Sequence, residues 1–122
     1  MIGYATVGTN DLEKAKSFYD NVLGILGGSR SFASDRMQGY SSASGSFAVC
    51  KPYDGKASSI GNGTMIAFQA ASRDAVHKMH AKALALGGKD EGAPGLRGET
   101  FYGAYFRDLD GNKLCVFTRA KD

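Results

Sequence analysis

The sequence predicts an α+β fold made of two tandem βαβββ modules whose sheets curl around a cleft. A helix-like segment that ends at Leu26-Gly27-Gly28 is matched by a second that ends at Leu86-Gly87-Gly88, and strand-like segments flank both. Glycine is abundant, with 17 of 122 residues, whereas there are two prolines and no tryptophan, which favours strands and turns. Each half is too short to bury a core comfortably alone, so we expect the halves to pack together.

The first module opens with a strand and a helix. Residues 2–9 combine apolar and β-branched side chains, as strands do. Asn10 followed by Glu13 has the spacing of a capping box and predicts the start of a helix. The apolar stripe of this helix consists of Leu12, Ala15, Tyr19, Val22, Leu23 and Leu26. Its end is predicted at Gly24, Gly27 and Gly28.

Three short strand candidates complete the first module. They lie at residues 29–33, 37–42 and 46–51, separated by clusters of Ser, Asp and Gly that favour turns. Pro52 and Asp54-Gly55 then end the module. We place module one at about residues 1–53, followed by a linker at about 54–63 that is rich in Gly and Ser.

The second module repeats the order at about residues 64–122, within a single domain that spans 1–122. Ser72 is the predicted N-cap of the second helix. The other elements are a strand at 64–70, a stretch containing Gly and Pro at 89–99, a strand at 100–107, a tight turn at 108–112 and a last strand at 113–118.

Composition narrows the function classes. The formal net charge is +3, from 15 Lys and Arg scattered among 12 Asp and Glu, so no basic cluster indicates nucleic acid as a partner. No apolar run is long enough for a membrane span, and no leader opens the chain. Its two cysteines are therefore expected to be thiols of a cytoplasmic protein.

Two segments resemble the vicinal oxygen chelate superfamily, the group of glyoxalases, bleomycin resistance proteins and extradiol dioxygenases. The opening is similar in its strand, its short cap and a helix that carries Phe18-Tyr19 and then Leu23-Gly24. The closing segment, residues 106–114, is similar to the family's Phe-x-Asp-Pro-Asp-Gly-Asn hairpin, with Leu109 in place of Pro. The resemblance covers the whole chain and implies paired modules around a cleft, a homodimer, and in catalytic members a divalent metal held by His, Gln or Glu.

The chain departs from that pattern at the metal-ligand positions. These positions fall on Tyr4, Met65 and Cys115, with Ala48 or Cys50 as the fourth. Tyr and Met are poor ligands for a hard divalent ion, and the usual carboxylate is missing. We therefore expect no metal cofactor, with a divalent metal as the alternative. His77 and His80 are three residues apart on the second helix. This spacing allows two interpretations: a metal-binding pair or a polar flank of the helix.

Other residues remain as candidates for the cleft. Cys50 and Cys115 occupy similar places in the two repeats, either as cleft thiols that form a soft-metal or redox pair or as small buried hydrophobes. In the predicted strand at 100–107, Tyr102 shares a face with Phe106, and Phe101 shares the other with Tyr105. Arg97 lies in a Gly-rich loop from which it could bind a carboxylate or phosphate, unless it is a solvated loop charge. The candidate ligand-binding residues are Tyr4, Tyr40, Phe47, Cys50, Met65, Arg97, Tyr102 and Cys115.

Two hypotheses about function stay open. In the first, the cleft binds a small neutral or anionic organic molecule without a metal. A chain of charge +3 suits cationic, bleomycin-type ligands poorly. In the second, the protein is a lyase, isomerase or dioxygenase with a non-standard metal-ligand set. Tyr4 or Cys115 would then act as acid, base or nucleophile.

Overall fold

The computed structural model describes residues 1–122 and contains eight strands and two helices. The first module comprises β1 (Tyr4–Gly8), α1 (Leu12–Ile25), β2 (Ser29–Ala33), β3 (Met37–Ser42) and β4 (Gly45–Cys50). The second comprises β5 (Ile66–Gln69), α2 (Arg73–Ala85), β6 (Lys89–Arg97), β7 (Phe101–Arg107) and β8 (Lys113–Thr118). The element order is βαβββ twice, as the sequence predicts.

Each module forms its own four-stranded sheet. The strand orders are β1-β4-β3-β2 and β5-β8-β7-β6, so the two sheets share one topology. In both, the first strand pairs in parallel with the last strand of the module, and the remaining pairs are antiparallel. The helix between the first and second strands makes the crossover that this topology requires. The α+β fold of two tandem modules is thus confirmed.

The helix starts show where local pattern and tertiary structure differ. Ser72 caps α2 as predicted, since its hydroxyl accepts a hydrogen bond from the Ala75 amide. The predicted cap of α1 was wrong by one residue: Asp11, not Asn10, accepts from the Lys14 amide. The Asn10 side chain instead binds the linker: its Oδ1 accepts from the Ser58 amide at 2.6 Å, and its Nδ2 donates to the Ser58 carbonyl at 3.3 Å. Neither helix is both long and apolar enough to cross a bilayer.

Strand β6 is the element that the residue pattern does not predict. Residues 89–99 form only a stretch containing Gly and Pro by sequence, whereas Lys89–Arg97 pairs with β7 in the structure. The pairing shifts register on both sides of Gly92, which has φ of +159°. Such bulges interrupt the two-residue alternation that marks a regular strand, and this concealed β6 in the sequence.

One hydrophobic core joins the modules. It is a cluster of 18 buried residues drawn from both helices and from the helix-bearing face of each sheet. Val7, Val49 and Phe47 face it from the first sheet, and Phe106, Leu114 and Val116 from the second. Because successive strand residues alternate, the neighbours of these residues lie on the opposite side of each sheet, which we call the open face. The open faces carry Tyr4, Thr6, Ala48 and Cys50 in sheet one, and Phe101, Tyr105, Lys113, Cys115 and Phe117 in sheet two.

Candidate functional site

A cavity of about 430 Å³ lies where β1 and β5, the edge strands of the two sheets, approach each other. Its lining is mostly apolar, with 12 hydrophobic side chains among 20 residues. Tyr4 and Ala5 line it from β1, Phe68 from β5, and Met65 from the residue before β5. A concave, mostly apolar site with a few polar groups is the usual form of a small-molecule pocket.

Aromatic rings from the shared core form one wall of this cavity. The Phe47 ring lies 4.9 Å from that of Tyr19 and 5.2 Å from that of Phe68. Tyr40 also lines the cavity, but its hydroxyl donates to Asp20 Oδ1 at 2.9 Å. Burial, followed by the Asp20 carboxylate, raises the Tyr40 pKa. The Tyr40 ring therefore lines the cavity, while its hydroxyl is bound to Asp20 of α1.

A rim of serines supplies polar groups at the β3–β4 turn. Ser41, Ser42, Ser44 and Ser46 all line the cavity. The hydroxyls of Ser41 and Ser46 are 3.0 Å apart, and those of Ser42 and Ser44 are 3.1 Å apart. A hydroxyl both donates and accepts, so this rim suits hydrogen bonding to a neutral or an anionic ligand.

The positions of the expected metal ligands carry side chains that do not fit a divalent metal. Thr6 pairs with Ala48 as Ala67 pairs with Cys115, which makes Ala48 the counterpart of Cys115. The four positions are therefore Tyr4, Met65, Ala48 and Cys115, without an imidazole or a carboxylate. No group of three or more His, Cys, Asp and Glu residues in the chain could hold a metal ion. The donor set fails for Fe, Mn, Ni, Zn or Mg.

The two histidines of α2 have separate partners. His77 Nε2 lies 2.7 Å from the Tyr102 hydroxyl, and His80 Nε2 lies 3.0 Å from Asp90 Oδ1. His80 is buried against the Phe106 ring, whereas His77 lies on an exposed flank. The two histidines therefore bind different neighbours of α2 and do not face one another as a metal-binding pair.

The cysteines do not occupy equivalent places, which corrects the expectation from the sequence. Cys50 pairs with Gly8 in sheet one, and the residue paired with Gln69 at the same point of sheet two is Phe117. The alternation of side chains along a strand correctly put both cysteines on the open faces, but it did not give their positions along β4 and β8. Both cysteines are free and buried. Burial raises the pKa of the Cys115 thiol to about 11, although Tyr105, Arg97 and Lys113 act in the opposite direction.

This pKa predicts an unreactive thiol at Cys115. A thiol of pKa about 11 is ionised to roughly one part in 1,000 at pH 8, against about one part in four for an ordinary cysteine. With 5,5′-dithiobis(2-nitrobenzoate) at pH 8, we expect native Cys50→Ser protein to react at least about a hundredfold more slowly than the same variant in guanidinium. Equal rates in the two conditions would contradict the buried placement.

Arg97 ends β6 and folds back over sheet two. Its Nη1 donates to the carbonyls of Gly95 and Gly103, each at 2.8 Å, and its Nη2 to that of Ala93 at 2.8 Å. The guanidinium carbon lies 5.4 Å from the Tyr105 ring centroid. Arg97 is therefore held on the open face, outside the 430 Å³ cavity.

Tyr102 lies on the helix-bearing face and not with the other candidates. Besides its contact with His77, its ring lies 4.5 Å below the Arg73 guanidinium. Phe106 is fully buried in the core on that same face, so Phe101 and Tyr105 occupy the open face. The sequence showed which of these four residues share a face of β7, but nothing in it indicated which face meets the helices. No residue pattern indicated that Phe117 and Lys113 lie on the open face, or that Phe68 and Gln69 line the cavity.

The candidate residues thus divide into separate places. Tyr4, Tyr40, Phe47 and Met65 line the cavity. Cys115 and Arg97 lie on the open face of sheet two, Cys50 on the open face of sheet one, and Tyr102 beside α2. A second cavity is formed by residues 60–64, before β5, with Met65, Arg107 and Lys113. Met65 therefore lies next to both the cavity between modules and sheet two.

Solved structures share this architecture. A glyoxalase/bleomycin resistance protein from Albidiferax ferrireducens T118 is 40% identical, with a TM-score of 0.92 over 98% of this chain and 99% of that one. A lactoylglutathione lyase from Agrobacterium tumefaciens is 18% identical, with a TM-score of 0.73 over 97% and 92%. A fosfomycin resistance protein, FosX, from Mesorhizobium loti is 19% identical, with a TM-score of 0.69 over 97% and 91%. The last two likenesses concern the fold alone.

No curated protein matches the chain. A family model does match, and it covers residues 1–116, from the start of the chain into β8. Together with the duplicated topology and the 40% identical structure, this match places the chain in the Glyoxalase/Bleomycin resistance protein/Dioxygenase superfamily.

Proposed function

We propose that the protein binds a small neutral or anionic organic molecule in the cavity between its modules, without the divalent metal of its catalytic relatives. The observation that carries this proposal is the residue types at the metal-ligand positions that line the cavity. Two of the four positions, Tyr4 and Met65, lie there beside aromatic rings, and neither supplies the imidazole or carboxylate that a metal centre needs. Such a surface binds an organic molecule through apolar contact, and the serine rim orients it by hydrogen bonds.

The charge of the chain supports the neutral or anionic class. A net charge of +3 repels a cationic ligand and attracts an anionic one. The polar groups in the cavity are neutral: the serine hydroxyls, the Tyr4 phenol and the Gln69 amide. These groups suit carbonyl, carboxylate and hydroxyl groups of a ligand.

We propose that the protein works as a homodimer in the cytoplasm. Large apolar side chains remain exposed in the single chain, among them Ile2 at 82%, Phe32 at 65% and Leu96 at 51%. Exposed large apolar side chains of this kind become covered when they lie at an interface between subunits. The free state of both cysteines suits a reducing compartment.

Native mass spectrometry without added metal tests the proposal. We expect a dimer that carries an organic adduct and no divalent ion. Met65→Glu places a charge in the cavity and should remove the adduct, because an unpaired carboxylate in an apolar site is costly. Leu109→Glu is the matched control, since Met65 is 41% exposed and Leu109 42%, and Leu109 lies outside the cavity. About one divalent ion per chain would contradict the proposal and favour a lyase or dioxygenase.

A further inference from the structure

The open face of sheet two carries cations and aromatic rings together. We call this surface the cation–aromatic face, and its members are Arg97, Phe101, Tyr105, Lys113, Phe117 and Arg119. The Phe101 and Phe117 rings are stacked, with centroids 4.8 Å apart and planes 10° apart. Beside them, the Tyr105 ring has Arg97 at 5.4 Å and Lys113 at 5.7 Å. The Arg119 guanidinium carbon lies 5.6 Å from the Phe101 centroid.

None of these three cations is neutralised by an ion pair. The two carboxylates of β6 bind other groups: Glu91 binds Arg107 at 3.0 Å, and Asp90 binds His80 at 3.0 Å. Arg97, Lys113 and Arg119 take part in no salt bridge. The face is therefore positively charged, and the rings beneath the cations are apolar and half-buried.

Arg97 is held in a fixed position that leaves part of its guanidinium free. Both Nη1 protons and one Nη2 proton bind backbone carbonyls. The Nε proton and the second Nη2 proton remain, which is enough to bind both oxygens of an acid group. The bulged strand makes room for this, because a Cβ at Gly92 would lie 3.1 Å from Arg97 Nη2, and one at Gly95 would lie 3.3 Å from Nη1.

We propose that the ligand is an aromatic anion that lies against the cation–aromatic face, its acid group bound by Arg97 and Lys113 and its ring packed against Phe117. This deepens the proposed function and rests on it, because Phe117 also lines the cavity between modules. One ligand can therefore extend from the apolar cavity onto the charged face. Pre-organised donors bind an acid group at low entropic cost, and aromatic rings favour a planar ligand.

Two fluorescent probes with the same aromatic frame test the charge requirement. 8-Anilinonaphthalene-1-sulfonate is anionic, and N-phenyl-1-naphthylamine is its neutral counterpart. We expect the anion to bind more tightly, and Arg97→Gln or Lys113→Gln to weaken the anion at least about tenfold while changing the neutral probe less than about twofold. Lys82→Gln removes a charge from α2, outside the face, and should leave both affinities unchanged. Circular dichroism verifies that each variant is folded.

The outcomes separate the inference from the proposed function. Unchanged binding of the anion in both Arg97→Gln and Lys113→Gln would overturn the inference, as would equal losses for both probes. Tight binding of the neutral probe alone would overturn the anion class but leave a metal-free binding cavity. Failure of both probes would overturn the aromatic class, while native mass spectrometry would still decide whether the cavity binds an organic molecule.

Discussion

Asp108→Ala is expected to destabilise the protein by about 3–4 kcal/mol. Asp108 is 5% exposed, and its carboxylate accepts from the Tyr19 hydroxyl at 2.5 Å and from Asn112 Nδ2 at 2.9 Å. It also accepts from the amides of Asp110 and Asn112, both at 2.9 Å. Asn112 Nδ2 reaches on to the Gly8 carbonyl at 2.8 Å, so the cluster joins the two modules. Without the carboxylate, buried donors lose their acceptor, and urea unfolding measures the cost.

Asp110→Ala is the matched control for Asp108→Ala. It lies two residues further along the same turn, and its carboxylate accepts from the exposed Asn10 amide. We expect it to cost less than about 1 kcal/mol. Equal losses for the two variants would contradict the role of the buried cluster.

The effect of Asp108 should also depend on pH. Burial raises its pKa above the usual value, although the hydrogen bonds from Tyr19 and Asn112 lower it. The folded state thus binds this proton more tightly than the unfolded state. The part of the stability that comes from this pKa difference is fully present below the unfolded pKa of 3.8 and is lost as pH rises through the folded pKa, whereas the hydrogen bonds to the carboxylate remain. The cost of Asp108→Asn should therefore decrease as pH rises above about 4, measured by urea unfolding across pH.

Gly88→Ala is expected to destabilise the protein by about 2–3 kcal/mol. An added Cβ would lie 2.7 Å from the Arg107 carbonyl oxygen and 2.8 Å from that of Ala83. Both are backbone atoms, so α2 and β7 would have to separate to admit it. Urea unfolding with an unchanged m-value should report the loss.

Gly24→Ala is the opposite control. Gly24 lies inside α1, and nothing lies within 4 Å of an added Cβ. Alanine there should stabilise the protein by about 0.5–1 kcal/mol, because it restricts the unfolded chain and favours the helix. A Gly88→Ala protein as stable as wild type would contradict the close approach of α2 and β7.

The sequence predicted most of the fold because its signals are local. Strands β2, β3 and β8 begin and end as predicted, and Ser72 caps α2. The end of α1 was less well predicted: Gly24 lies inside the helix, which continues to Ile25, and Gly27 provides the positive φ of 81° after it. Asn10 and Asp11 both have side chains that can cap a helix, so the sequence did not identify the N-cap of α1 correctly. In the structure the Asn10 side chain binds Ser58 and its backbone amide donates to Asp110, and Asp11 is the cap.

The candidate site was predicted less completely, for a physical reason. Alternation states which residues of a strand share a face, but not which face meets the helices. In the structure Tyr102 lies beside α2, and Tyr105 lies on the open face under Arg97. Position along a strand depends on pairing with its neighbour, so register, and not spacing, separated Cys50 from the counterpart of Cys115.

Local residue patterns by themselves determined the duplicated βαβββ order, and motif resemblance indicated the superfamily; both follow from turns, caps and periodicity. The unsuitable donor set at the metal positions could also be predicted, because residue type alone decides it. Only the tertiary structure decided that Tyr4 and Met65 share a cavity with core aromatics, while Arg97 lies outside it over Tyr105. Those contacts join residues far apart in the chain, and they exist only once both sheets have packed on one core.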